Sequence, residues 1–202
     1  MGLGFAGCAS GPVGAGFKLP PSPTEYVWSR EYSQRERSWA EAVAQHLQLE
    51  PGVWLGIWTD DRGTGLPAFV RAVTPNSPGA DPGVVYLFHG DTRRLAWIRA
   101  HKYRPFRLAH VRFVQVYPGD RLIGDGVFDR LLVVDWPGDT GRTLLSASRR
   151  AMAMSGILGV VERKGAPSEV TLRRMAKTLG LLWTGKGELG DGSVLHVFSR
   201  TR

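Results

Sequence analysis

The sequence has a single cysteine, Cys8, and no cluster of metal-ligating residues. One cysteine cannot form a disulfide or a cysteine zinc site within one chain, so both kinds of cross-linked fold are excluded. The histidines at positions 46, 89, 101, 110 and 196 show no ligand spacing, and we predict no metal site. No apolar run approaches the roughly 20 residues that span a bilayer, so no transmembrane segment is predicted.

Two common catalytic motifs are missing as well. No G-x-S-x-G sequence is present, which removes the nucleophile elbow of the α/β-hydrolases. The glycine-rich stretch GKGELGDG, residues 185–192, lacks the G-K-S/T order of a phosphate-binding loop. We interpret it as a hairpin turn between two short strands.

Acidic residues are few: 18 Asp and Glu stand against 26 Lys and Arg, and the net charge is +8. Such a balance favours anionic partners, namely nucleic acid, acidic lipid surfaces or phosphorylated small molecules. Residues 92–112 contain many basic and aromatic side chains and no acid. This stretch predicts binding to single-stranded nucleic acid or to another anionic surface. The alternative is a solvated basic helix whose aromatic side chains pack inward.

The first 25 residues are rich in Gly, Pro and Ser and predict a flexible arm. Within it, FAGCASGP is similar to the end of a bacterial lipoprotein signal, in which Cys8 would carry the lipid. The basic region and the longer apolar run of a complete signal do not precede it. Two interpretations stay open. Either the true start lies upstream, which predicts a periplasmic or membrane-anchored lipoprotein, or the arm is an ordinary tail of a cytoplasmic protein.

From residue 26 onward the hydrophobic pattern predicts one α/β domain, residues 26–202. A helix over 29–49 is followed by strands and helices in alternation, and such alternation is typical of a parallel sheet covered on both faces. The predicted strands are 53–58, 83–90, 111–117, 130–136, 156–162, 181–185 and 193–200. The predicted helices between them are 66–73, 92–103, 142–154 and 168–180. The fold class is therefore a Rossmann-like, doubly wound, mostly parallel seven-stranded sheet with a C-terminal antiparallel hairpin.

Four segments resemble class I S-adenosylmethionine-dependent methyltransferases, in the same order along the chain. They are LEPGVWLGIW (49–58), FDRLLVVDWPGD (128–139), AMAMSGILGVVERKGAP (151–167) and TLRRMAKTLG (171–180). The segment GILGVVER further resembles a subgroup of small secreted bacterial methyltransferase-like proteins. The resemblance implies S-adenosylmethionine as cofactor and methyl transfer as activity.

The segment GIWTDDRGTG, residues 56–65, departs from that family's acid-and-glycine cofactor loop. Glycine is needed there because the backbone bends tightly and approaches the ligand closely. Here Asp60, Asp61 and Arg62 occupy the expected glycine positions, and only a shifted D-x-G-x-G register, with Gly63 and Gly65 after Asp61, keeps part of the pattern. The loop is thus eroded in composition. Asp91 follows the second strand, where the family holds the ribose hydroxyls, but it also stands where a helix N-cap is expected.

The resemblance places the acceptor side of the site after the fourth and fifth strands. Asp135 is the candidate catalytic carboxylate, as a general base or a hydrogen-bond acceptor for an amine. Trp136, Asp139 and Glu162 are the candidate substrate-facing residues, although Asp135 and Asp139 also suit turns and Glu162 suits an ion pair with a neighbour. Two functions therefore remain: a methyltransferase of unknown acceptor, or a non-catalytic, envelope-associated or polyanion-binding module on the same fold.

Overall fold

The structure is a computed structural model that describes residues 30–75, 81–103, 110–163 and 165–201. The predicted N-terminal arm with Cys8 and residues 104–109 of the basic stretch lie outside the described residues. Within the described part of the chain, no helix combines the length and the apolar character needed to cross a membrane.

Helices and strands alternate through the chain as the hydrophobic pattern predicts. The helices are α1 (Arg30–His46), α2 (Leu66–Val73), α3 (Thr92–Ile98), α4 (Gly141–Ala151) and α5 (Glu169–Thr178). The strands are β1 (Trp54–Trp58), β2 (Val84–His89), β3 (Val111–Gln115), β4 (Phe128–Val133), β5 (Met152–Glu162), β6 (Leu181–Glu188) and β7 (Val194–Arg200). A π-helical turn, Arg99–Tyr103, extends α3, and a short 3-10 turn, Gly138–Thr140, precedes α4.

The seven strands form one sheet in the order β3-β2-β1-β4-β5-β7-β6. Strands β1 to β5 are mutually parallel, and β7 lies antiparallel between β5 and β6. The chain order reverses beside β1, since β1 pairs with both β2 and β4. The carboxyl ends of these strands therefore border the crevice in which α/β proteins bind ligands. The predicted fold class is confirmed.

Alternating side chains of the central strands pack into two apolar layers, one on each face of the sheet. On β4, Leu132 faces the layer built with α1, α2 and α3, and its neighbour Leu131 faces the layer built with α4 and α5. Both leucines are almost fully buried. Burial on both sides explains why the second half of β4, residues 131–133, is a continuous apolar run.

Several boundaries differ from the sequence prediction. Helix α4 ends at Ala151, three residues early, because β5 already begins at Met152. Strand β6 continues through the predicted turn to Glu188, so the hairpin turn is limited to residues 189–193. Gly187 lies in this strand because the ring of His46 from α1 packs against it, and a Cβ there would lie 2.0 Å from Nε2 of that ring. Gly187 therefore marks a close contact rather than a turn.

Candidate functional site

An open cleft of about 480 Å³ lies at the carboxyl edge of the parallel strands. Its walls come from α1, from the segment that follows β1, from the ends of β4 and β5, and from the β6–β7 turn. The lining side chains are Arg35, Glu36, Trp39, Asp60, Asp61, Arg62, Thr64, Asp135, Arg163 and Asp191. Acids and arginines thus share one concave surface, which suits a ligand that carries both signs of charge.

The loop between β1 and α2 is organised around the side chain of Asp60. Its carboxylate accepts hydrogen bonds from the backbone N–H of Arg62 at 3.2 Å, and from the N–H and hydroxyl of Thr64 at 3.0 and 2.6 Å. Arg163, at the end of β5, donates to the same carboxylate at 3.0 Å. Burial alone would raise the pKa of Asp60, but the hydrogen bonds from Thr64 and the charge of Arg163 outweigh it and lower that pKa. Asp60 therefore holds the loop closed as an anion.

Five backbone donors of this loop and of the start of α2 are engaged within the protein. Besides Arg62 and Thr64, the N–H of Gly63 donates to the carbonyl of Asp60 and that of Leu66 donates to the carbonyl of Gly63. The N–H of Gly65, at the start of α2, donates to Oε1 of Glu36 at 2.8 Å. Five successive N–H groups thus have internal partners. An anionic ligand cannot use them in the way that phosphates use a glycine-rich loop.

Gly63 and Gly65 are glycines for reasons of conformation and packing. Both have positive φ, +63° and +79°. A Cβ on Gly63 would lie 2.6 Å from Cγ2 of Ile98, and one on Gly65 would lie 2.7 Å from the ring of Phe69. Neither lines the cleft. The close approach of the turn to α2 and α3 therefore explains both glycines without a ligand.

The carboxylate of Asp61 lies between the ends of β1 and β2. It contacts Nε2 of His89 and the guanidinium of Arg94, each at 3.2 Å. Because the backbone N–H of Asp91 donates to Nδ1 of His89, the ring proton resides on Nε2 and points at Asp61.

The side chain of Asp91 caps α3 by accepting from the N–H of Arg93 at 2.8 Å. Hydrogen bonds from Arg93 lower the pKa of Asp91, so the capping role expected for this residue is confirmed.

Asp135 extends from the end of β4 into the cleft with its side chain exposed. Partial loss of hydration raises the pKa of Asp135, and the charges of Asp60 and Asp61 across the cleft raise it further. The charge of Arg163 opposes the shift only in part. The excess negative potential around Asp135 would attract a cation, and the raised pKa makes it a better proton acceptor than an ordinary Asp.

The other predicted acceptor-side residues are spread over a wider area. The ring of Trp136 packs over Gly141, at the start of α4, and a Cβ there would lie 2.0 Å from Cζ2 of the ring. Asp139 is exposed on the 3-10 turn. Glu162 turns to the other side of β5, where Oε2 lies 2.7 Å from Nε2 of the fully buried His196. None of the three lines the described cleft.

Sequence reasoning missed the residues that α1 and β5 contribute to the site. Glu36 is bonded to Lys102 at 2.7 Å as well as to Gly65. Arg163 lies over the ring of Trp39 at 5.2 Å while it pairs with Asp60. Periodicity placed Trp39 on the core face of α1, but nothing in the local pattern indicated that this helix reaches the cleft.

The fold is shared with known methyltransferases. A scan against protein-family models finds no match, and a search of curated proteins finds none either. Among solved structures, a SAM-dependent methyltransferase from Aquifex aeolicus matches with a TM-score of 0.70 and 16% identity, over 89% of this chain and 99% of that chain. A TehB-like SAM-dependent methyltransferase from Corynebacterium glutamicum matches with a TM-score of 0.63 and 15% identity, over 89% and 100%.

The cyclase SpnF matches the chain as well, with a TM-score of 0.65 and 12% identity, over 80% of this chain and 79% of that chain. Neighbours on this fold are therefore not all described as methyltransferases, and the fold alone does not decide the reaction. From the topology and these matches, the chain has the Rossmann-like fold of the class I S-adenosylmethionine-dependent methyltransferases.

Proposed function

We propose that the protein binds S-adenosylmethionine in the cleft at the carboxyl edge of its sheet and transfers the methyl group to an acceptor held beside Asp135. One observation carries the proposal. Asp135 is an exposed carboxylate at the end of β4 whose pKa is raised, partly by two further carboxylates of the same cleft. Such a concentration of negative charge suits a cationic sulfonium.

The residues that line the cleft fit S-adenosylmethionine through their side chains rather than through the N–H groups of the β1–α2 loop. The engaged N–H groups of the β1–α2 loop offer no donor to its carboxylate. Arg35, exposed on α1 at the rim of the cleft, can supply that contact instead. Asp61 and Asp135 would face its positively charged parts. The eroded composition of the loop thus reflects a change of ligand contacts from backbone N–H groups to side chains.

When bound, S-adenosylmethionine supplies an electrophilic methyl group. The protein has then to orient an acceptor, accept its proton and exclude water. Asp135 would accept the proton that an O–H or N–H acceptor loses, at a carboxylate oxygen whose pKa is raised. The side chains of Arg62 and Thr64 line the same wall and would restrict the approach of the acceptor.

Isothermal titration calorimetry with S-adenosylmethionine and S-adenosylhomocysteine tests the proposal. The two ligands differ by the charged methyl-sulfonium. We expect micromolar binding of both, and we expect Asp135→Asn to weaken S-adenosylmethionine several-fold more than S-adenosylhomocysteine. Asp139→Asn removes a carboxylate from the neighbouring turn, outside the cleft lining, and should change neither affinity. Absence of heat and of thermal stabilisation at millimolar ligand would refute the proposal.

That negative result would favour the second candidate, a non-catalytic module on the methyltransferase fold. The internal pairing of five loop N–H groups supports this candidate, because a loop closed on itself is stable without a ligand. We further propose, on the resemblance alone, that the protein belongs to the secreted subgroup and that Cys8 carries a lipid. Mass spectrometry of the protein purified from its own cells would test the lipidation.

A further inference from the structure

Helices α4 and α5 present a continuous set of cations on one side of the molecule. Both helices pack on the same face of the sheet, and both run from its carboxyl edge back to its amino edge. Their buried leucines point inward, and their other sides carry the cations of this basic face, of which Arg149 is half-buried. These are Arg142, Arg149, Arg150, Arg173, Arg174 and Lys177. The two helices contain one acid, Glu169.

The cations of the basic face are largely unneutralised. Arg173 pairs with Glu169 at 3.3 Å, and Glu169 also bonds Lys186. Among the described residues, no ion pair involves Arg142, Arg149, Arg150, Arg174 or Lys177.

The stretch 92–112 differs in this respect, although its sequence is as basic. Three of its cations are engaged with acids: Arg93 with Asp91, Arg94 with Asp61, and Lys102 with Glu36. These pairs hold α3 and its π-helical turn to the rest of the molecule. Part of the charge of this stretch is therefore used within the protein, whereas five of the six cations on the α4–α5 face have no ion pair with a described residue.

Helix stability explains only part of this arrangement. Cations in the last turn, such as Arg149, Arg150 and Lys177, interact favourably with the helix dipole. Arg142 stands in the first turn of α4, where the same dipole disfavours a cation. Arg173 and Arg174 lie in the middle of α5, where the dipole contributes little. A partner with negative charge would account for Arg142 and Arg174, whereas Arg173 already pairs with Glu169 and lies over the ring of Trp183.

We propose that the basic face binds the phosphate backbone of duplex nucleic acid. Five of its six cations are arginines, whose planar guanidinium groups suit phosphate oxygens. From Arg142 to Arg150 the rise along α4 is about 12 Å, a length over which a duplex carries roughly seven phosphate charges. The apolar side chains of α4 are buried and α5 exposes a single large one, Val170, so the face lacks the continuous exposed apolar stripe that a membrane surface requires. The proposal does not depend on S-adenosylmethionine.

Fluorescence anisotropy of the full 202-residue chain with a labelled 20-base-pair duplex, at several salt concentrations, tests the proposal. The test variant is Arg142→Gln/Arg150→Gln/Arg174→Gln. The matched control is Arg71→Gln/Arg99→Gln/Arg112→Gln, which removes three exposed arginines elsewhere, two of them from the predicted stretch 92–112. We expect the test variant to lose about tenfold or more in affinity and its salt slope to fall by up to about 2.7, at 0.9 per phosphate contact. The control should stay close to wild type, and thermal unfolding should show both variants folded.

Three results would overturn the proposal. The first is a wild-type chain that does not bind the duplex at low salt. The second is an equal loss in both triple variants, which would indicate a non-localised attraction by net charge. The third is binding to vesicles with about one third phosphatidylserine in the absence of duplex binding, which would identify the partner as an anionic membrane.

Discussion

Two aspartates of the cleft show how surroundings, rather than residue type, decide a role. Asp60 accepts three hydrogen bonds from its own loop and one from Arg163, and its pKa is lowered although it is buried. Asp135 lies across the same cleft with no hydrogen bond from any described residue, and its pKa is raised. The carboxylate of Asp60 is engaged by hydrogen bonds within the protein. The carboxylate of Asp135 is available to a ligand, and its unfavourable surroundings lower the stability of the folded protein.

Because the pKa of Asp135 is raised in the folded protein, its ionised carboxylate should lower the free energy of unfolding at neutral pH. Between the ordinary and the raised pKa the folded state binds more protons than the unfolded state, so the contribution of Asp135 to stability falls as the pH rises through that window. Asp135→Asn should therefore increase the free energy of unfolding at pH 7 by about 0.5 kcal/mol, the scale of surface substitutions. The gain should vanish near pH ~3, where the carboxyl is protonated in both states.

Urea denaturation of Asp135→Asn at the two pH values measures this difference. Asp139→Asn again serves as control, because it removes an exposed carboxylate from the next turn without touching the cleft. A loss of stability at neutral pH in Asp135→Asn would contradict the assignment of repulsion to this carboxylate. It would indicate instead that the wild-type side chain has a stabilising partner.

At the scale of elements, α1 is attached to the sheet by an ion pair as well as by apolar contacts. Glu36 bridges the N-terminus of α2 and Lys102 of the π-helical turn, and the side chains of both pair members are mostly buried, with 11% and 17% exposure. Removal of one member of a buried ion pair destabilises the protein strongly, because the other charge is left without compensation. The same helix carries Arg37 and Glu41 as an exposed pair at 2.7 Å.

Glu36→Gln should accordingly destabilise the protein by about 3 kcal/mol, since Lys102 would remain buried without a counter-charge. Glu41→Gln, the matched change five residues along α1, should cost at most about 0.5 kcal/mol. Urea unfolding midpoints of the two variants give the comparison. Equal and small effects would mean that Lys102 reaches solvent when Glu36 is neutralised, and that apolar packing alone holds α1 in place.

At the scale of the whole molecule, one sheet joins two apolar layers. The layers are not independent domains, because neighbouring residues of the same strand serve both: Leu132 packs toward α1–α3 and Leu131 toward α4–α5. A strand cannot leave one layer and remain in the other. The described part of the chain should therefore unfold as one unit.

Leu131→Ala and Leu132→Ala should each lower the stability of that single transition by about 2–5 kcal/mol. The two leucines are 2% and 1% exposed and adjacent on β4, so each variant serves as the control for the other. Far-UV circular dichroism and tryptophan fluorescence should give superimposable urea curves for wild type and both variants. A second transition in either variant would show that one layer unfolds without the other.

The sequence by itself determined the element order, the sheet composition and the C-terminal hairpin of this protein, because periodicity and turn residues are local signals. The structure places Asp91 at the N-cap of α3 and Asp135 among the residues that line the cleft. Local signals were misleading at Gly187 of β6, which makes room for the ring of His46 from α1, a contact that no local pattern contains.

Only the tertiary structure decided which charges are available and which are engaged. The acids at 60 and 61 and the cations at 93, 94 and 102 look equivalent to other charged residues in the sequence, yet each has a partner that chain folding brings from another element or from a capping turn. The pairing of Gly65 with Glu36 spans 29 positions. Electrostatic energy depends on distance in space, so the potential of the cleft and of the α4–α5 face is a property of the fold rather than of any single segment.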